Sequence, residues 1–442
     1  MKARLDHIEA RLKAAGAERY EIYLEVSAEA ECEVLDGAVN LLRRGQEEAV
    51  AIRVLGRGLG QVGLTQPDEA ALDDGIGQAI AEAARARPEV LPDFLGPQAD
   101  RPGAPFVDPR ADGSLRPLLE SQGLALEALT LGIDPRIVSV RPAVVAEHHL
   151  RWALRTSGGL DRDGEGTRAS AAVGAVAEDQ EDSRMAVEEG SAPSLEGLDL
   201  PHLARQAARR ALMALGARPI PAGRRPVVLS PRAAAVLIES LVEAMDGDRA
   251  ARGASFLAGR LGAQVVSPDL TIVDPPHDPG LDGSAWIDGE GLLTRNQPLV
   301  DAGRWVLALH DRASAARHGA LAGGQAQRQG RGRIHAGAHN VVVWPGAHTF
   351  DALLHEAEGG LWVDELLGAH TLNGITGEVS LGATGNLIRG GALGPAFEGV
   401  TVAGDLLGLL SGPIKVGAQV ESYGRFRGPA ILLPEVRIAS SG

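Results

Sequence analysis

Few residues in this chain have the types and spacing that chemistry requires. Glu239 and Glu243 stand one helical turn apart in Ile238-Glu-Ser-Leu-Val-Glu243, so on a helix their carboxylates share a face. Such a pair can bind a metal or exchange protons. It can equally be solvated, or answer nearby cations such as Arg249 and Arg252. His355-Glu356 opens a zinc-like motif, but that chemistry needs a second His one turn later. Gly359 and Gly360 stand there instead, so a solvated helix end is expected. His148-His149, and His335 with His339, are the close histidine groups. The second pair falls in a Gly-rich loop or strand, where a spacing of four does not gather side chains. The single cysteine, Cys32, alternates with apolar residues and is expected in the core. It excludes an internal disulfide and a thiolate cluster. Gly58-Leu-Gly60-Gln-Val-Gly63 satisfies a dinucleotide fingerprint. However, strand pattern continues through Gly63 where a helix would have to begin, so a glycine-rich hairpin is expected. Neither a G-x-S-x-G elbow nor a P-loop is present.

The elements that would carry these residues follow from hydrophobic period. Leu5, Ile8 and Leu12 recur at helical spacing, and Gly16 is a stop. Ile22, Leu24 and Val26 alternate with polar residues as a half-buried strand does, through Cys32 and Val34 to a turn at Asp36-Gly37. Val50 to Val54 and Val62 to Leu64 are further strands, and Leu72 to Ala83 is an amphipathic helix. Residues 137 to 188 suggest strands with turns at Gly158-Gly159 and Asp163-Gly164, and Leu203 to Leu215 a helix with Arg on its outer face. Pro226 to Leu229 is a strand that leads into a helix from Arg232 to Met245. Short apolar runs follow: Trp305–Leu309, Asn340–Trp344, Gly377–Ile388, Val400–Ala403 and Ala430–Ile438. Such runs suggest a large antiparallel, barrel-like array. No short-period repeat points to a solenoid.

The expected class is therefore α+β, an N-terminal sheet-plus-helix lobe before a C-terminal antiparallel β-rich lobe. The expected divisions are residues 1–90, a linker at 91–113, a strand-rich segment at 114–218 packed with the N-terminal lobe, and a domain at 222–442. The 442 residues carry a net charge of -15, which disfavours nucleic acid and anionic membranes as partners. No apolar run is long enough to span a bilayer. The N-terminal stretch is charged throughout, without an apolar signal core. A cytoplasmic location is the expectation.

Taken together, several strings resemble the TldD/PmbA family of peptide-processing proteins. They include Ala17 to Tyr23, Ala51-Ile-Arg-Val54, Asp288-Gly-Glu-Gly291, Leu293 to Val300, Ala315-Ala-Arg-His-Gly319, Gly360 to Val363, Asn373 to Ala383, Thr401 to Asp405 and Gly428 to Pro434. The resemblance implies a two-subunit metallopeptidase. Its TldD-type subunit holds zinc with H-E-x-x-x-H and a cysteine near the C-terminus. In this chain Ile238 stands at the first His, Glu243 at the second, and Gly417 at the cysteine, with only Glu239 kept. The resemblance thus implies a PmbA-like or TldE-like chain without a catalytic residue, bound metal or cofactor of its own. Zinc is expected in a TldD-type heterodimer partner. Peptide or partner contacts fall on Asn373, Gly374, Gly377, Gly382 and Gly385, with tight sheet turns as the plainer alternative. Two rival expectations stand beside this one. The first is a homodimeric peptide-binding module without enzymatic role. The second is an independent metal hydrolase using Glu239, Glu243 and a distant His such as His310.

Overall fold

The computed structural model describes residues 1–88, 91–98, 116–180, 182–329 and 332–440. Of the expected linker at 91–113, residues 99–113 lie outside the described residues. The N-terminal lobe is one six-stranded antiparallel sheet in the order β3-β2-β1-β4-β5-β6. Its strands are β1 (Tyr20–Leu35), β2 (Ala38–Leu55), β3 (Leu59–Thr65), β4 (Ile137–Thr156), β5 (Asp161–Asp179) and β6 (Asp182–Ala192). Alternation explains which face is covered. Ile22, Leu24, Val50 and Ile52 pack with Leu5, Ile8 and Leu12 of α1 (Lys2–Ala14) and Leu72 and Ile76 of α2 (Glu69–Arg85). Farther along the same face, Cys32, Val34, Val145 and Val173 pack under Leu119 and Leu126 of α3 (Arg116–Leu131) and Leu203 and Ala207 of α4 (Leu200–Ala214). The lobe is thus a curved half-barrel with its helices on one face. Helix, three strands and helix occur twice in succession, and β1 pairs with β4 along the seam between the two units.

The C-terminal lobe is an 11-stranded sheet. Its strands are β7 (Arg218–Pro219), β8 (Gly223–Leu229), β9 (Ile272–Asp274), β10 (Gln297–Asp301), β11 (Arg304–Trp305), β14 (Val341–Val343), β15 (Leu361–Leu367), β16 (Glu378–Arg389), β17 (Ala392–Asp405), β18 (Lys415–Tyr423) and β19 (Phe426–Ser440). A separate hairpin comprises β12 (Ala326–Gln329) and β13 (Arg333–Ala336). Strands β19, β8, β15, β16 and β17 pair in turn, and β17 returns to β19, which closes a barrel. The lobe's helices are α5 (Pro231–Glu243), α6 (Gly247–Ala251), α7 (Arg312–His318), α8 (Phe350–Glu356) and α9 (Leu406–Ser411).

The α+β class is as expected, but the C-terminal sheet is not wholly antiparallel. The pairs β8·β15, β14·β19 and β7·β17 run parallel. A parallel pair needs a long crossover, and the chain between Leu229 and Leu361 supplies one through α5 to α8. The signal was the unbroken Val227-Val-Leu229. Strands buried on both faces lose alternation: Val227 and Leu229 pack with α5, and Val228 with α8.

Other local expectations are corrected. Asp163-Gly164 is no turn but lies within β5, opposite Ala153 and Trp152. Gly164 is glycine because a Cβ there would sit 2.6 Å from the Trp152 ring. In Gly58 to Gly63 only Gly58 belongs to the turn. Gly60 lies in β3, where its missing Cβ lets the α2 backbone approach, the Ala79 carbonyl being 2.0 Å from that point. Of Trp305–Leu309 only Trp305 is in a strand. On α4, Arg205 and Arg209 face outward, but Arg210 is buried. No helix among the described residues is long and apolar enough to cross a membrane.

Candidate functional site

Helix α5 carries the motif positions. Ser230 caps it by accepting the Ala233 N–H, and Pro231 presets its first turn. Ala234, Leu237, Ile238 and Leu241 turn inward, and Ile238 is fully buried in the main core. Glu239 faces the other way. Its Oε1 accepts from Arg425 Nε at 2.9 Å, while Arg425 Nη2 lies 3.9 Å from Glu243 Oε1. Arg425 also donates to the Ala338 carbonyl at 3.3 Å. The cation that answers the two carboxylates is therefore Arg425, not Arg249 or Arg252. It sits just before β19, far away in sequence. Gly417 is buried in β18. Its carbonyl accepts the Gly346 N–H at 2.8 Å, and an added Cβ would lie 3.0 Å from the Ala430 carbonyl.

These residues do not fit zinc. Ile238 has no donor atom, Gly417 has no side chain, and Glu239 is committed to a guanidinium. A fixed positive charge between Glu239 and Glu243 opposes a second cation there. The described residues contain no group of three or more His, Cys, Asp or Glu able to hold a metal.

The remaining candidates disperse. His310 is buried in another part of the lobe, packed over Gly247, with Nδ1 3.1 Å from Ser314 Oγ. Burial lowers its imidazole pKa, and the nearby His318 adds to this. Beside it, burial would raise the Asp248 carboxyl, but His318 and Arg317 outweigh that and hold it below its ordinary value. His355 and Glu356 are exposed at the end of α8, and Glu356 pairs with Lys415. His335 is exposed on β13, whereas His339 is buried with Nδ1 unpartnered, 3.7 Å from Asp274. His148 and His149 are neighbours on β4, so they point to opposite faces. Cys32 is buried, and burial pushes its thiol pKa up.

The Asn373 segment is a built turn. Asn373 Oδ1 accepts the N–H groups of Ile375 and Thr376, and Gly377 takes a positive φ of 79°. Gly374 abuts Arg249, and Gly382 pairs with Leu367. Gly385 sits at a bulge where a Cβ would meet the Trp362 carbonyl at 1.9 Å. Only Gly385 is required by close strand approach, since a Cβ at Gly382 would make ordinary contact 3.5 Å from Leu367, while Ile375 stands exposed at the tip.

Sequence reasoning missed a buried ion network between the lobes. Arg53 Nη1 reaches Glu21 at 3.2 Å and Glu290 at 3.1 Å, and Arg328 Nη2 reaches Glu21 at 2.5 Å. The Arg328 guanidinium lies 4.3 Å from the centre of the Tyr23 ring. Burial would raise the Glu21 carboxyl, but Arg328 and Arg53 overcome it and hold the carboxyl low. A second network joins Arg210 of α4 to Asp364 at 2.6 Å and Glu365 at 2.8 Å, with Arg232 on Glu188 at 2.6 Å. Glu21, Arg53 and Glu290 all fall in strings that carried the resemblance, but a linear string does not show who pairs with whom.

Two family models match the chain. They describe the PmbA/TldA metallopeptidase central domain, at residues 117–215, and its C-terminal domain, at 222–440. Metalloprotease PmbA of Escherichia coli O157:H7 is 27% identical over 317 residues, 71% of this chain and 68% of that protein. A metalloprotease of Methanothermobacter thermautotrophicus is 27% identical over 394 residues, 87% of this chain and 84% of that one. In fold, the chain is similar to TldE from Thermococcus kodakarensis, with TM-score 0.87 and 22% identity over 99% of this chain and 100% of that one. A Thermotoga maritima crystal structure gives TM-score 0.87 and 23% identity over 98% and 100% of the two chains.

Proposed function

Because the chain belongs to the PmbA/TldA metallopeptidase family, we propose that it is the non-catalytic subunit of a two-subunit zinc peptidase. The observation that carries this is the state of α5. Ile238 is in the core, Arg425 holds Glu239, and Gly417 offers no thiolate. With no metal-bound water to deprotonate, Glu239 has no substrate for general-base work. Its partner is a cytoplasmic TldD-type chain that supplies H-E-x-x-x-H, the cysteine and the zinc. The pair acts on unfolded or modified peptides, by degradation or maturation. The exposed turn of Asn373, Gly374, Ile375 and Gly377, with Gly382 and Gly385 on the strand that follows, is this chain's contribution to peptide or partner contact.

The test is metal content and assembly. Purified alone, the chain is expected to hold essentially no zinc by elemental analysis. Mixed with a TldD-type chain from the same cell, it is expected to form a heterodimer that contains zinc and cleaves peptides. Near one zinc per chain in the isolated protein would sink the proposal. A homodimer that ignores the TldD-type chain would replace it with a peptide-binding module.

A further inference from the structure

The turn at Asn373 holds the parts of a reaction within itself. Of the asparagines Asn40, Asn296, Asn340, Asn373 and Asn386, only Asn373 precedes a glycine. Asn340 and Asn386 are buried, and the exposed Asn40 and Asn296 precede Leu41 and Gln297. Asn373 is exposed. Its Oδ1 accepts the N–H groups of Ile375 at 2.9 Å and Thr376 at 3.1 Å. Two donors on one atom fix it as the amide oxygen. The Asn373 main-chain carbonyl accepts the Gly377 N–H at 2.8 Å. These bonds hold the side chain against its own main chain and leave the Gly374 nitrogen outside them. Gly374 has no Cβ to screen that nitrogen, and Arg249 Nη2 stands 3.0 Å from where one would be.

We infer that Asn373 is a site of self-modification, at which the Gly374 nitrogen displaces the side-chain amide. The Gly374 nitrogen gives up its proton to solvent and bonds to Asn373 Cγ. The bond from Cγ to the amide nitrogen then breaks, and ammonia leaves with a proton taken from water. The product is a cyclic imide, which water opens at either carbonyl to leave aspartate or isoaspartate. The net change consumes one water and releases one ammonia, with nothing oxidised or reduced. Attack is intramolecular, between neighbours already held together. As Cγ becomes tetrahedral, charge gathers on Oδ1, where the Ile375 and Thr376 N–H groups already point. The Arg249 cation favours both that oxyanion and the loss of the Gly374 proton. Either product adds a negative charge to the turn, and isoaspartate also reroutes the main chain through the former side chain. The reaction needs this chain alone, so it stands apart from the contact role proposed for the same turn.

The full chain is incubated at mildly alkaline pH and body temperature beside the free peptide acetyl-Thr-Leu-Asn-Gly-Ile-Thr-amide. That peptide keeps the Asn-Gly step without the folded turn or Arg249. Peptide mass mapping follows conversion at Asn373, and isoaspartyl methyltransferase labelling counts the isoaspartate. Conversion at Asn373 is expected to be at least as fast as in the free peptide, with Asn40 and Asn296 unchanged over the same time. Gly374→Ala should slow it at least tenfold, and Arg249→Gln at least threefold. Thermal melts check that both variants fold. Conversion slower than in the free peptide overturns the inference, because the turn then protects Asn373. So does a rate that either substitution leaves unchanged.

Discussion

Asp288 shows what burial does to one carboxyl group. Burial first, then the neighbouring Glu290 carboxylate, push it up to about 6, against the three N–H groups that favour its charge. In the unfolded chain it returns to an ordinary value of 3.8. Between those values the folded protein keeps a proton that the unfolded chain has released. The stabilising contribution is complete below the unfolded value and is lost as pH rises through the folded one. Asp288→Asn cannot ionise, so the stability of wild type relative to this variant should fall between about pH 4 and pH 7, by up to roughly 3 kcal/mol. Urea melts of both proteins at the two ends measure it, and a flat difference would refute it. At this scale the sequence was partly legible. The emptiness of Ile238 and Gly417 as ligands is plain from residue type. The partner of Glu239 was not, because Arg425 stands 186 residues away and only the barrel brings it to α5.

At the scale of elements, the alternation of Ile22, Leu24, Val50 and Ile52 was sufficient to find the strands and their covered face. Their hidden constraints lie in glycines whose reason is a neighbour. Gly60 has ordinary strand backbone, yet an added Cβ would meet the Ala79 carbonyl at 2.0 Å and the Ala83 nitrogen at 2.5 Å. Both obstacles are helix backbone and cannot rotate aside, so Gly60→Ala should cost about 2 kcal/mol or more by separating α2 from β3. Gly77 is its counterpart within α2, with nothing inside 4 Å of a new Cβ. Gly77→Ala should stabilise by roughly 0.5–1 kcal/mol, through helix propensity alone. Chemical denaturation of the pair checks both signs, and a destabilised Gly77→Ala would show that α2 is not free on that face. Period also misled, because Gly164 resembles a turn residue but makes room for Trp152.

For the whole molecule, the two helix–three strands–helix units meet edge to edge, so the six-stranded sheet has an approximate two-fold seam at β1·β4. No repeat was visible in the sequence because the two units share a pattern of burial rather than of residues. Glu21 opposite Thr156 and Val34 opposite Ala143 mark the ends of this seam. A fragment of residues 1–88 would keep α1, β1 to β3 and α2 with an open β1 edge. It should dimerise through β1, each copy standing in for the missing second unit, and proline at an edge position such as Ala28 should return it to monomer. Sedimentation measures this, and a monomeric wild-type fragment would refute it. The same seam places a demand on biosynthesis. The ribosome completes β1 long before it reaches β4, and at 5–20 residues per second the wait is on the order of ten seconds. For that interval a long, ready template is displayed to every nascent neighbour on the same message. Polysome crowding, rather than the stability of the finished molecule, is then the condition under which this architecture is most exposed to mispairing.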